Sequence, residues 1–218
     1  MAEIIGILEI IGTIAFAISG ALVAISAYLD LFGVIFVGCI TAFGGGILRD
    51  LIIGVTPPRI FLNYRLCLVA ISASALVFVF AYFKRKSFGS LKGRIEHINN
   101  IFDALGLAAF SITGAEIGFG SGFGDNGFII IALGMITGVG GGIFRDVLTD
   151  TTPYVFKKHI YAIASIAGST VYFILRLNGT DISLCSVISM VIVVSIRMLA
   201  AKFRLSLPKI HLEEETKK

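Results

Sequence analysis

Runs of apolar residues dominate this chain, and short polar clusters punctuate them. Seven runs are long enough to cross a hydrocarbon core of about 30 Å at about 1.5 Å per helical residue. They are Ile4–Ala27, Phe32–Ile53, Tyr64–Phe83, Ile101–Gly118, Gly127–Leu148, His159–Leu175 and Ser183–Ala201. Polarity does not alternate within them, which predicts helices and argues against a β-barrel. One long polar connector interrupts the series, "KRKSFGSLKGRIEH" from Lys84 to His97, and the chain closes on the solvated tail "HLEEETKK".

The pattern also repeats. "GGGILRD" (Gly44 to Asp50) returns as "GGGIFRD" (Gly140 to Asp146), and "EIIGTIAFAISGA" (Glu9 to Ala21) matches "DALGLAAFSITGA" (Asp103 to Ala115). Downstream, "PRIF" (Pro58 to Phe61) matches "PYVF" (Pro153 to Phe156). Spans one to three therefore correspond to spans four to six. A three-span unit crosses the membrane an odd number of times, so its second copy enters with the opposite orientation. The expected architecture is an all-α membrane protein of seven transmembrane helices, an inverted repeat of three-helix units plus a seventh helix. Its expected divisions are 1–83, first repeat; 84–100, basic cytoplasmic loop; 101–176, second repeat; 177–203, seventh helix; and 204–218, cytoplasmic tail.

Composition agrees with the pattern. The chain is 56% hydrophobic and 15% charged, against about 25% charged in soluble domains. The basic connector, Lys157-Lys158 and the tail from Lys202 to Arg204 fall on one side if seven spans are counted. The positive-inside rule then places the N-terminus outside and the C-terminus in the cytoplasm of a bacterial inner (plasma) membrane. The first ten residues carry acids and no Lys or Arg, so the first span is expected to be retained rather than cleaved as a signal. The net charge of +4 sorts by topology and does not suggest nucleic acid. Cys39, Cys67 and Cys185 lie within apolar runs, where they serve packing.

Candidate chemistry sits in the repeated motif. Gly44-Gly45-Gly46 and Gly140-Gly141-Gly142 are poor helix formers, each costing about 1 kcal/mol relative to alanine in water. They are expected to break spans two and five, turning backbone carbonyls toward protein, water or an ion. Thr41 and Thr137 precede the glycines, and Ser19 and Thr113 match one another in spans one and four; these neutral oxygens suit K⁺ or Na⁺. Small residues also serve simple helix packing, as the spacing in "GMITG" and "GAEIG" suggests. Arg49-Asp50 and Arg145-Asp146 are intramembrane charges, functional candidates by default. Adjacent helical residues do not face each other, so partners are sought elsewhere. Glu9 in the outer part of span one and Asp103 in the inner part of span four give the expected pairs or near-pairs Glu9–Arg49 and Asp103–Arg145. A purely structural buried bridge is the competing reading.

The doubled "GGGIxRD", the downstream prolines, the repeated acid-x-x-Gly-x-x-x-Phe and the seven spans resemble the prokaryotic trimeric intracellular cation (TRIC) channels. The resemblance covers nearly the whole chain. It implies a homotrimer with a K⁺-permeable pore inside each protomer, the glycine-broken second and fifth spans bending around it and the first and fourth completing its wall. The Lys-Glu-Val lipid-contact motif of animal members is absent here, so their lipid regulation is not carried over. Bacterial relatives have also carried a "glycine transporter" label, and a secondary transporter of a small neutral solute such as glycine is the alternative. A scaffold that only oligomerises is a third reading. The midplane, rich in glycine and hydroxyls and lacking an evident proton-relay chain of carboxylates, favours the channel.

Other motifs carry less. "GFGDNG" (Gly122 to Gly127) fits a dinucleotide fingerprint but follows a membrane helix with no strand before it. "GFGD" (Gly122 to Asp125) resembles an aspartyl protease motif without a partner motif; the segment reads as a flexible outer turn. His97, His159 and His211 lack metal-ligand spacing. The expectation is a non-enzyme with no cofactor, its only ions the permeating ones.

Overall fold

Each apolar run folds into one helix in the computed structural model, which describes residues 2–84, 92–157, 160–203 and 205. The seven long helices are α1 (Ala2–Ser26), α2 (Leu31–Ile52), α3 (Tyr64–Phe83), α4 (Lys92–Gly118), α5 (Gly127–Leu148), α6 (Ile160–Leu177) and α7 (Ile182–Phe203). All seven are long and apolar enough to cross a membrane. Side chains at their starts satisfy amides that have no partner within the helix. The Asp30 carboxylate accepts from Gly33 N at 2.8 Å, and the Asn126 amide oxygen from Ile129 N at 3.2 Å. Asp181 caps α7 by accepting from Ser183 N at 2.8 Å, and these backbone amides hold its carboxyl below the ordinary range. Gly54 and Gly179, both at φ +74°, take the left-handed turns that follow α2 and α6.

α4 begins nine residues before the expected start of span four, because Lys92–Asn100 continue the helix toward the water. Ile95, Ile98 and Phe102 recur at helical spacing along an apolar groove, while Asn99 points inward and is buried. The connector is thus helical from Lys92. Residues 85–91, like Lys158, His159 and the tail from Ser206, lie outside the described residues. Within the segment read as a flexible outer turn, Phe119–Phe123 form one wide π-type turn, with Gly122 at φ +88°.

The largest correction concerns α2 and α5. Both run as continuous α-helices through their glycine triplets. The glycines do not break the helices; they let them touch. A Cβ built on Gly45 would run into the Thr137 carbonyl oxygen, and one on Gly141 would run into the Thr41 carbonyl oxygen. These are the same contact with the roles exchanged. A Cβ on Gly12 would meet the Phe110 ring at 3.0 Å and one on Gly106 would strike Phe16, while the two rings pack 5.4 Å apart. Likewise Gly38 faces Ser74 as Gly134 faces Ser169. Reciprocal contacts of this kind are what a two-fold relation between the three-helix units produces. In "GMITG" and "GAEIG", Gly138 closes on Ser111 and Gly114 on Thr137, so these glycines do serve close packing.

The helices are arranged around this axis. α1 and α4 are the most enclosed, with 61% and 78% of their apolar windows buried, against 17% for α3, the most exposed of the seven. α2 and α5 complete the centre, and α7 lies against α4 and α6.

Candidate functional site

Small and polar residues meet where α1, α2, α4 and α5 cross. Thr41 Oγ1 donates to the Val37 carbonyl and Thr137 Oγ1 to the Leu133 carbonyl, each at 2.6 Å. Thr113 Oγ1 donates to the Ala109 carbonyl at 2.9 Å. Each hydroxyl spends its proton on its own helix and keeps oxygen lone pairs to accept with. Thr41 Oγ1 also lies against the open face of Gly20, and Thr137 Oγ1 against that of Gly114.

The arginines stand near the ends of α2 and α5. Arg49 donates through Nε and Nη2 to Asp50 Oδ1 at 2.9 and 2.7 Å. Arg145 donates through Nε to Asp146 Oδ1 at 2.8 Å. Both neighbouring pairs therefore form, against the expectation from helical spacing. The chain leaves the helix just beyond each aspartate, and its second oxygen takes a loop amide: Arg59 N on Asp50 Oδ2 and Tyr154 N on Asp146 Oδ2, both 2.8 Å. That tether turns each carboxylate to the helix end, within reach of a long guanidinium. Arg59 and Tyr154 each follow the repeated proline. Burial pushes the Tyr154 phenol above its ordinary range.

Beyond these pairs the two ends differ. Arg145 Nη1 donates to Asp103 Oδ1 at 2.7 Å, forming the expected bridge with both side chains fully buried. Glu9 and Arg49 form a near-pair rather than a bridge: Glu9, half-buried on α1, interacts electrostatically with the guanidinium, which Asp50 takes directly. Arg145 Nη1 also donates to Ser19 Oγ at 2.7 Å, and Ser19 donates on to Asn99 Oδ1 at 2.8 Å. Tyr161 donates its hydroxyl to Asp103 Oδ1 at 3.2 Å. Arg197 Nη2 reaches Asp103 Oδ2 at 3.3 Å, its guanidinium 4.6 Å above the Tyr161 ring. Asn99 forms part of the wall of a cavity of about 550 Å³, lined also by Glu96, Tyr82 and Tyr154. A polar chain thus leads from this cavity through Asn99 and Ser19 to Arg145. Among the described residues no cluster of His, Cys, Asp and Glu could hold a metal ion.

This arrangement can be set beside known proteins. A family model described as "Glycine transporter" matches twice, over residues 6–82 and 100–176, so the two halves match one model. The UPF0126 inner membrane protein YadS of Escherichia coli (strain K12) is 35% identical, across 95% of this chain and 96% of that protein. A chain solved to explain conductance through TRIC cation channels is 34% identical, with TM-score 0.82 over 96% of this chain and 98% of that one. A prokaryotic TRIC channel crystallised in 0.5 M KCl is 32% identical, with TM-score 0.84 over 95% of this chain and all of that one. The chain belongs to the prokaryotic TRIC family.

In this TRIC family member, several residues of the site went unremarked in the sequence. Arg197, a single arginine inside the seventh apolar run, carried the signal of any intramembrane charge. Tyr161 and Asn99 carried none, since neither residue type is unusual at a helix start. Glu116, within "GAEIG", accepts from the Tyr172 hydroxyl at 2.7 Å and from Arg176 Nε at 3.1 Å, tying α4 to α6 at the other end of the bundle.

Proposed function

We propose that this chain is a cation channel whose conduction path lies within the single chain, passing K⁺ and Na⁺ between α2 and α5 with α1 and α4 as its walls. The observation that carries the reading is the polar chain from the cavity to the helix crossing. From Asn99 and Ser19 it reaches Arg145, and Ser19 adjoins Gly20, whose open face meets Thr41. Hydroxyl and carbonyl oxygens there replace part of a cation's hydration shell. The path is closed where α2 and α5 touch at Gly45 and Gly141, so conduction requires the two helices to part at the glycines. Gly44 to Gly46 and Gly140 to Gly142, with Thr41, Thr137, Ser19 and Thr113, form the lining. Arg49–Asp50 and Arg145–Asp146, with Glu9 and Asp103, flank it as gating or bracing charges. The similarity to solved TRIC cation channels supports this reading. It extends to a homotrimer in a bacterial inner membrane, with the N-terminus outside and the C-terminus cytoplasmic.

Purified protein in planar bilayers tests it. Unitary K⁺ currents are expected. Saturable glycine uptake without currents would instead establish a carrier, and silence in both assays a scaffold. The mass of the solubilised complex checks the trimer, and reporter fusions at the C-terminus check its side.

A further inference from the structure

The two-fold relation between the repeats shows what the cavity beside Asn99 lacks. Four of its lining residues, Leu22 and Ile25 of the first apolar run and Phe78 and Ala81 on α3, have counterparts in the second repeat. The register that matches Glu9–Ala21 with Asp103–Ala115 carries Leu22 to Glu116 and Ile25 to Phe119. The register that sets Ser74 against Ser169 carries Phe78 to Phe173 and Ala81 to Arg176. At the other end of the bundle these counterparts fill the equivalent space. Phe119 stacks on Phe173, the ring centroids 5.8 Å apart and the planes 29° apart. The Arg176 guanidinium lies over the Phe119 ring, 5.3 Å from its centroid, and Glu116 holds it there at 3.1 Å. Beside Asn99, Ile25 stands where Phe119 would be and Ala81 where Arg176 would be, and a cavity of about 550 Å³ remains.

We propose that this cavity binds a neutral, planar aromatic molecule carrying a hydrogen-bond acceptor. Its ring takes the place on Phe78 that the Phe119 ring takes on Phe173, and stacked aromatic pairs gain beyond the area they bury. The volume falls within the range of about 300–1,000 Å³ for small-molecule sites, which combine apolar walls with a few placed polar groups. Here Asn99 is such a group. It is 4% exposed, its Oδ1 accepts from Ser19, and its amide NH₂ has no hydrogen-bond partner among the described residues. An acceptor on the bound molecule satisfies that buried donor. Glu96 lies on the wall, and the Arg145 guanidinium stands over the ring of Tyr154, another lining residue, 5.3 Å from its centroid. Charges of both signs therefore adjoin the cavity, which suits a neutral occupant better than an ion. Through Asn99 and Ser19 the occupant meets the polar chain that ends on Arg145. The binding itself does not rest on the channel reading.

Equilibrium dialysis of 2-acetylnaphthalene, a planar aromatic ketone, against the full chain in lipid nanodiscs tests this, with empty nanodiscs correcting for partition into lipid. Saturable binding of one ketone per chain is expected. 2-Ethylnaphthalene keeps the rings but lacks the carbonyl, and should bind about three- to tenfold more weakly. Ile25→Phe builds the ring of the second repeat into the first. It should abolish saturable binding while the melting temperature holds or rises, as cavity filling does. No saturable binding above empty nanodiscs, equal binding of the two compounds, or undiminished binding by folded Ile25→Phe overturns the proposal. So does phospholipid that the wild type retains, Ile25→Phe loses and the ketone does not displace, which would give the cavity to an acyl chain. Should Ile25→Phe fail to fold, the comparison of the two compounds on the wild type decides.

Discussion

Three consecutive glycines on α2 should respond differently to the same added methyl group. On Gly45 a Cβ would run into the Thr137 carbonyl, a backbone atom that cannot move without its helix. On Gly46 the nearest group is the Arg49 guanidinium at 3.6 Å, an ordinary contact. Gly→Ala gains up to about 1 kcal/mol of helix propensity at either position. Overpacking a tight contact costs about 1–3 kcal/mol, and a separation of about 1 Å forfeits a quarter to a half of each dispersion contact along the crossing. The backbone obstacle puts Gly45 at the upper part of that range. Gly45→Ala should therefore lose about 1–2 kcal/mol net, and Gly46→Ala should gain up to about 1. At about 2–4 °C per kcal/mol for a chain of this size, thermal melting in detergent should fall by about 2–8 °C for Gly45→Ala and rise by about 2–4 °C for Gly46→Ala. Gly141→Ala, against the Thr41 carbonyl, should behave as Gly45→Ala does. Equal losses at Gly45 and Gly46 would refute the reasoning, since the glycines would then matter as bends and not as contacts.

Removing Arg145 takes a guanidinium from two buried carboxylates at once, leaving Asp103 to Tyr161 and Arg197 and Asp146 to the Tyr154 amide, so Arg145→Ala should cost about 3–5 kcal/mol in denaturation experiments. Arg49→Ala takes the guanidinium from Asp50 alone and should cost clearly less; equal losses would contradict the asymmetry of the two ends. Tyr172→Phe removes the hydroxyl that Glu116 accepts and should lower stability by about 1–2 kcal/mol, with an unchanged melting point as the contrary result. Asp50→Ala should speed hydrogen–deuterium exchange at the Arg59 amide, whereas exchange at the wild-type rate would exclude the tether.

Some of the site could be read from sequence and some could not, for identifiable reasons. The Asp103–Arg145 bridge was legible because the repeat supplies an acid and an arginine whose helices lie side by side. Glu9 and Arg49 hold the same positions in the repeat and interact without a bridge, because Arg49 gives both Nε and Nη2 to Asp50, whereas Arg145 gives Asp146 only Nε and keeps Nη1 for Asp103. Helical spacing measures where Cβ atoms point. It does not measure where a flexible four-bond side chain ends, which is why both neighbouring Arg–Asp pairs escaped it.

What the sequence by itself determined were the properties that depend on local composition and order. Apolar length sets seven spans, and the recurrence of Gly, Pro, Arg and acid positions sets the duplication. The odd span count sets its inversion. Only the tertiary structure decided what the glycines do, because a break and a close contact share one composition and differ in how near the neighbouring helix comes. It alone brought Arg197 to Asp103, 94 positions apart in the chain. The physical reason is that a buried charge takes whichever partner folding places within reach, and that distance is set by helix packing, not by spacing along the chain.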